Sequence, residues 1–268
     1  AVVNGLQREA IASWYGRWFV PSNATLIVAG DVTMAELMPL LERSFASWSG
    51  KSAPKKSMGA ANSSGRGKIF LIDKPDAPQS LILAAHTVAA GARADDLALE
   101  TVMRNFGGMA TARLNRNLRL DKHWSYGASG GLNSARGPRL FNVVAPVQTD
   151  RTSDAMLEIH KEIVGIKGER PLAGEELSSI LRSQNGRLAG RFETLNSLIG
   201  AGLDVVNLKR DPAYYTDYTR QLRGLDGPTL NAAAADVVKP NELMWLVVGD
   251  LSKIEEGVRA LKLGEVVR

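Results

Sequence analysis

The sequence predicts an α+β fold, a two-layer sandwich with helices on one face of a mostly antiparallel sheet. Three observations predict it. Apolar, strand-like runs cluster in the first half after a Gly/Ser/Lys-rich stretch. Helical segments then dominate, and one apolar run returns near the end. The strand segments are expected at Lys68–Asp73 and Gln79–Val88, separated by a turn with Pro75 and Pro78. A hairpin is expected from His123–Leu132 and Arg139–Val147 around the Ser134–Pro138 turn, and the returning strand spans Leu243–Val248. Helices are expected at Asp95–Arg104, about Met109–Leu120, Ser153–Ile166, Gly174–Leu188 and Glu193–Val206. Further helices start at Asp211-Pro212, after Asp226, and at Ser252.

Composition narrows the function classes. With 44% apolar and 23% charged residues, the 268-residue chain is ordinary globular protein, long enough for one or two domains. Its net charge of +5 comes from 33 basic and 28 acidic residues that interleave along the chain. That pattern allows an acidic partner and gives no reason to expect nucleic acid. The absence of cysteine excludes disulfides, thiol nucleophiles and Cys-based metal centres. No apolar run reaches the length of a membrane span; the longest, Leu81–Ala92, carries His86 and Thr87. The basic charge and missing cysteines lean towards a periplasmic or secreted setting.

An internal repeat organises the chain. Pro21, Gly30 and Asp31 recur as Pro240, Gly249 and Asp250, each pair 219 positions apart. At the same offset Thr33 and Glu36 become Ser252 and Glu255, both in capping-box spacing, while Leu6 and Ile11 become Leu225 and Leu230. The unit reads helix, Pro-led turn, apolar strand, Gly-Asp turn, capped helix. Residues 1–50 are therefore expected to be the C-terminal tail of an incomplete first half-domain, 51–67 a linker, and 68–268 a complete second half-domain. An equal first half would need about 150 residues before Ala1. The alternative is a helix–strand–helix appendage packed on the main domain.

Candidate chemistry is sparse. His86, His123 and His160 lack the spacing of H-x-x-E-H or its inverse, so the chain itself is expected to bind no metal. His86 reads as a satisfied strand residue and His123 as a surface turn residue. Asn105-Phe-Gly-Gly108 could present amides to an anion or serve as a packing device. Tyr214, Tyr215 and Tyr218 read as packing. The segment NFGGMATARLNRNLRLDKHWSYG carries Arg113, Arg116 and Arg119 at i, i+3, i+6, near one helical face. Arg119 in the last turn and Tyr126 in the next strand can point to one side. There a guanidinium binds a peptide carbonyl and a phenol donates to an oxyanion. Alternatively, Arg119 complements the helix C-terminus and Tyr126 packs in the sheet.

The segment from Asn105 to Gly127 resembles the glycine-turn and R-x6-Y segment of the pitrilysin/insulinase family of zinc metallopeptidases. PSNATLIVAGDV, repeated at Pro240–Asp250, is similar to the segment that closes each half-domain of that family. The resemblance implies the non-zinc, C-terminal half or a non-catalytic subunit. It implies that Arg119 and Tyr126 are catalytic and that Arg119, Tyr126 and Arg116 bind substrate. It further implies a partner, a zinc-bearing half-domain or subunit with H-x-x-E-H, and an extended peptide substrate added to a strand edge. Without H-x-x-E-H the chain is not expected to hydrolyse peptides alone. His123-Trp124 departs from the family's usual Gly-Leu, which bears on substrate fit. A non-catalytic scaffold and a free-standing peptide-binding module of the same fold are the other readings.

Overall fold

The computed structural model describes residues 2–57, 64–89 and 96–268. The middle of the expected linker (58–63) and the expected helix start at Asp95 (within 90–95) lie outside the described residues. The chain divides into two compact units, Ala1–Gly59 with Ala189–Val206, and Ala60–Leu188 with Asn207–Arg268.

The first unit contains α1 (Arg8–Trp18), a 3-10 turn at Pro21–Asn23 and α2 (Met34–Phe45). The expected capping box of α2 forms: Glu36 N–H donates to Thr33 Oγ1 at 3.3 Å, and Thr33 N–H donates to Glu36 Oε2 at 2.9 Å. Residues 24–29 join no strand ladder, in contrast to the expected apolar strand.

The second unit is built on six strands: β1 (Lys68–Asp73), β2 (Gln79–Val88), β3 (Ser129–Leu132), β4 (Arg139–Gln148), β5 (Met244–Gly249) and β6 (Glu265–Val267). Their order across the sheet is β3-β4-β2-β5-β1-β6. The β3-β4-β2-β5 part is antiparallel, and β5-β1-β6 is parallel. Helices α3 (Asp96–Gly107), α4 (Arg113–Asn115), α5 (Thr152–Val164), α6 (Gly174–Gly190), α7 (Leu195–Leu208), α8 (Tyr214–Arg223), α9 (Gly227–Val237) and α10 (Leu251–Ala260) complete the chain, with α7 reaching into both units.

Alternation along the strands decides which sheet face is covered. Ile69, Ile82, Phe141, Val143, Trp245 and Val247 are fully buried against Leu99 and Phe106 of α3, Met156 and Ile159 of α5, Leu230 of α9 and Val258 of α10. Each such burial stabilises by about 1.5–3 kcal/mol relative to exposure. On the opposite face Phe70, Ile72, Leu81, Leu83, Leu246 and Val248 stay half-buried or exposed.

The second Gly-Asp pair closes this sheet. A Cβ on Gly249 would overlap the Ser80 hydroxyl, so only glycine lets β5 pass β2 there. Asp250 accepts from Asp76 N–H at 3.2 Å and from Ser252 Oγ at 2.5 Å, and pairs with Lys253 at 2.7 Å. Lys253 first, then Ser252, hold its carboxyl down at about 2. Asp76, at φ 58°, sits in the left-handed region that lets its amide face Asp250.

Four local expectations are corrected. The hairpin strand starts at Ser129 rather than His123, because His123 is left-handed (φ 58°) and Ser125 folds its hydroxyl into the loop. Met109–Leu120 is not one helix. Residues 109–112 form a turn, α4 is one short turn, and Arg116–Asp121 winds as a π-helix. The Ser252–Glu255 capping box is absent: Ser252 donates to Asp250 instead, and Glu255 is drawn to Arg259 and Arg268. Asp211 caps the amide of Ala213 at 2.7 Å, and α8 starts only at Tyr214.

His86 ties the end of β2 to the loop before β5. Its Nδ1 donates to Thr87 O at 3.2 Å, and its Nε2 accepts from Lys239 N–H at 3.2 Å, which defines a neutral ring. Burial pushes its pKa below the ordinary histidine value, and burial does the same to His160. Glu242 opposes that shift at His86, while Lys239 and Arg66 reinforce it. Both groups therefore favour the native state fully above the unfolded histidine pKa of about 6.5, and the gain is lost as pH falls below it. Urea midpoints should drop between neutral and mildly acidic pH. A His86→Asn variant should show a shallower drop; an unchanged slope would contradict the assignment.

Candidate functional site

The site candidates lie on the stretch between α4 and β3. The π-helical turn Arg116–Asp121 ends abruptly. His123 Nδ1 donates to Arg119 O at 3.1 Å, and Leu118 O accepts the amides of Trp124 (2.9 Å) and Ser125 (3.2 Å). The chain therefore reverses directly after Arg119. Buried Ser125 pins the loop to β4, donating to Pro146 O at 2.5 Å, and Trp124 O accepts from Gln148 N–H at 2.9 Å. On the far side Asn115 Oδ1 accepts from Ala128 N–H at 2.9 Å, while its Nδ2 donates to Met109 O at 3.1 Å.

Between these anchors Tyr126 projects from the loop. Tyr126 is 84% exposed, and the Arg119 guanidinium carbon lies 5.1 Å from its ring centroid. The structure thus brings Arg119 and Tyr126 together, and Tyr126 does not pack in the sheet. The face-on cation holds the ring while its phenolic oxygen stays available. The neighbouring Trp124 ring lies 4.9 Å from the Lys122 ammonium and 5.9 Å from the Arg151 guanidinium.

The other two arginines go elsewhere. Arg113 is buried, with Nε and Nη2 on Glu176 (2.7 and 2.6 Å) and Nη1 on Arg170 O (2.6 Å). Burial alone would raise the Glu176 carboxyl, but hydrogen bonds from Arg113 and Asn105 outweigh it and hold the pKa below the usual range. Arg113 is therefore a structural clamp between α4 and the start of α6. Arg116 is exposed and lines a polar recess of about 290 Å³ with Asp121, Glu162 and Arg170; Arg119 and Tyr126 are not part of it. The shared face expected for the three arginines is broken at Arg119: Arg113 and Arg116 line this one recess, while Arg119, on the π-helical turn, lies outside it.

The glycine turn is a packing device. A Cβ on Gly107 would overlap the backbone of Gly130, and Gly108 N–H is committed to Arg104 O at 3.1 Å. No anion cradle forms there, and the end of α3 covers the edge strand β3 at Gly130. Tyr218 is buried with Leu97 and Leu222, and Tyr214 packs edge-on to Tyr215 with centroids 5.0 Å apart. Among the described residues no three His, Asp or Glu side chains converge as metal ligands. No helix among them is long and apolar enough to cross a membrane. The anchors Asn115 and Ser125 escaped the sequence reading, since a hydroxyl or amide aimed at distant backbone leaves no spacing signature.

Residues 5–183 match the model of a known family, the peptidase M16 inactive domain. The chain belongs to that family. An inactive M16 domain is consistent with the C-terminal half expected from the pitrilysin/insulinase resemblance. The fold of the M16 inactive domain agrees. The crystal structure of a peptidase M16 inactive domain from Pseudomonas fluorescens is 15% identical with a TM-score of 0.83, covering 91% of this chain and 58% of that one. A protease from Helicobacter pylori is 19% identical with a TM-score of 0.83, covering 92% and 60%. A chain of complex III2 from Candida albicans is 10% identical with a TM-score of 0.76, covering 99% and 64%. The chain spans about three fifths of the length of these structures. No curated protein matches it in sequence.

Proposed function

We propose that this M16 inactive domain is the substrate-binding half of a zinc peptidase, closing over a peptide and presenting Arg119 and Tyr126 to the reacting bond. The zinc belongs to another half carrying H-x-x-E-H, in the same polypeptide or on a partner subunit. Arg119 binds a peptide carbonyl through its planar, charged fork, and the Tyr126 phenol donates to the oxyanion of the tetrahedral intermediate. The single observation that carries the reading is the stack of half-buried Arg119 on exposed Tyr126, held from both sides by anchored backbone.

We further propose that residues 1–50 complete a first half-domain whose sheet is supplied from outside this sequence. The bounds of α9 fall on those of α1 at the 219-residue offset, as do the 3-10 turns at Pro240 and Pro21. Yet Leu230 is 0% exposed and its counterpart Ile11 54%; Trp245 is 1% exposed and its counterpart Leu26 58%. The face that α9 and β5 bury is bare in the first unit, and large bare apolar faces mark interaction surfaces. Hydrogen–deuterium exchange tests this. Adding the zinc-bearing half should protect the amides of α1 and α2 strongly. Unchanged exchange in both helices, despite complex formation, would overturn it.

A further inference from the structure

The chain reversal after Arg119 contains a strained residue. His123 has φ 58°, in the left-handed region that glycine enters freely and a side chain enters at a cost. Such strain persists where the surroundings hold it, and it concentrates at functional sites. What the His123 side chain does there is visible in its contacts.

The last carbonyls of a helix lack partners within it. At the end of the π-helical turn, Asn117 O accepts from Lys122 N–H at 3.1 Å, and Leu118 O accepts from the amides of Trp124 and Ser125. Those bonds stop one residue short of Arg119. The next carbonyl, Arg119 O, accepts from the His123 ring, with Nδ1 at 3.1 Å. A carbonyl only accepts, so Nδ1 carries the hydrogen. The His123 carbonyl in turn accepts from Gln148 Nε2 at 3.4 Å. His123 thus ties the backbone of Arg119 to the end of β4.

Arg119 depends on that tie more than its neighbours would. Glu176 holds the Arg113 guanidinium, and Glu162 holds that of Arg170. Among the described residues no carboxylate pairs with Arg119, whose guanidinium lies on the exposed ring of Tyr126. The direction of the Arg119 side chain is therefore set by its own backbone. Tyr126 leaves the same loop three residues after His123.

We propose that His123 is a positioning residue, whose ring clamps the Arg119 carbonyl so that the guanidinium stays stacked on Tyr126. The proposal rests on the reading of Arg119 and Tyr126 as the pair that acts on the peptide. Two variants test it. His123→Gly relaxes the backbone and removes the ring. His123→Asn keeps the left-handed backbone at little cost, and its Nδ2 lies as many bonds from the backbone as His Nδ1, so it can donate to the same carbonyl.

The first readout needs no turnover. In NMR spectra of the full chain, the nuclear Overhauser contact between the Arg119 side chain and the Tyr126 ring should be present in the wild type and in His123→Asn, and lost in His123→Gly. The thermal midpoint of His123→Gly should stay close to that of the wild type, because relieved strain offsets the lost hydrogen bond. In the assembled peptidase, His123→Gly should lower kcat/KM by about tenfold, with KM rising and kcat falling, and His123→Asn should recover most of that loss. An intact contact in His123→Gly, or a His123→Asn that behaves like His123→Gly, would overturn the proposal. Tyr126→Phe is measured alongside. If it lowers turnover and His123→Gly does not, the positioning role fails and the reading of the pair stands. If Tyr126→Phe turns over like the wild type while His123→Gly loses the contact, the reading of the pair fails and the clamp stands.

Discussion

On the proposed reading, Tyr126→Phe is expected to lower the kcat of the assembled peptidase by about a hundredfold while leaving its KM nearly unchanged. The magnitude is that of removing one donor to a developing oxyanion, about 10²–10³ in rate. The substitution keeps the ring over which Arg119 lies 5.1 Å away, so only the hydroxyl is lost. Because Tyr126 is 84% exposed, unfolding midpoints stay where they were. Arg119→Ala behaves differently. It should remove the proposed ground-state contact to the peptide and free the Tyr126 ring, so KM is expected to rise and kcat to fall together. Arg119→Lys restores charge but not the planar fork, and recovers only part of the loss. Steady-state kinetics on the three variants separates these effects. Wild-type turnover in Tyr126→Phe would remove Tyr126 from the chemistry.

Arg113→Ala has the largest expected effect on stability, a loss of about 3–5 kcal/mol, because it strands the Glu176 carboxylate in a partly buried site. For a chain of this size that corresponds to a fall in Tm of roughly 10 °C. Arg113 joins α4 to the start of α6 through Glu176 and to the carbonyl of Arg170, and Asn105 of α3 donates to the same carboxylate at 2.7 Å. Its loss loosens the base of the π-helical turn that carries Arg119. Replacing both partners, with Arg113→Met and Glu176→Leu, recovers much of the stability, since an apolar pair leaves no orphaned charge. Thermal unfolding of the single and double variants checks this. A single variant with unchanged Tm would show that the clamp contributes nothing.

The particular elements show what a sequence can and cannot display. Strands β1 and β2 were legible to the residue, because alternating apolar runs ended by prolines leave little freedom. The repeat was legible for the same local reasons: a proline, a Gly-Asp pair and a capping spacing. Residues 24–29 share that grammar yet form no strand, since a strand exists only with a ladder partner. The short β6 went unseen, being three residues recruited by β1. Ser252 lost its capping role to Asp250, a competition decided by a loop 174 residues away. At the site, Arg119 and Tyr126 could be named from spacing and resemblance. The separation of Arg113 and Arg116 from them could not, because a π-helical turn has no distinctive composition.

The central claim is that this chain completes a peptidase whose metal lies on another half. Peptide hydrolysis by the zinc-bearing half tests it most directly, measured alone, with this chain, and with this chain carrying Arg119→Ala and Tyr126→Phe. The account predicts negligible cleavage by either part alone, cleavage on mixing, and a loss of at least about a hundredfold with the double variant. Cleavage by the zinc-bearing half that is the same with or without this chain would contradict the account and leave a scaffold of the same fold.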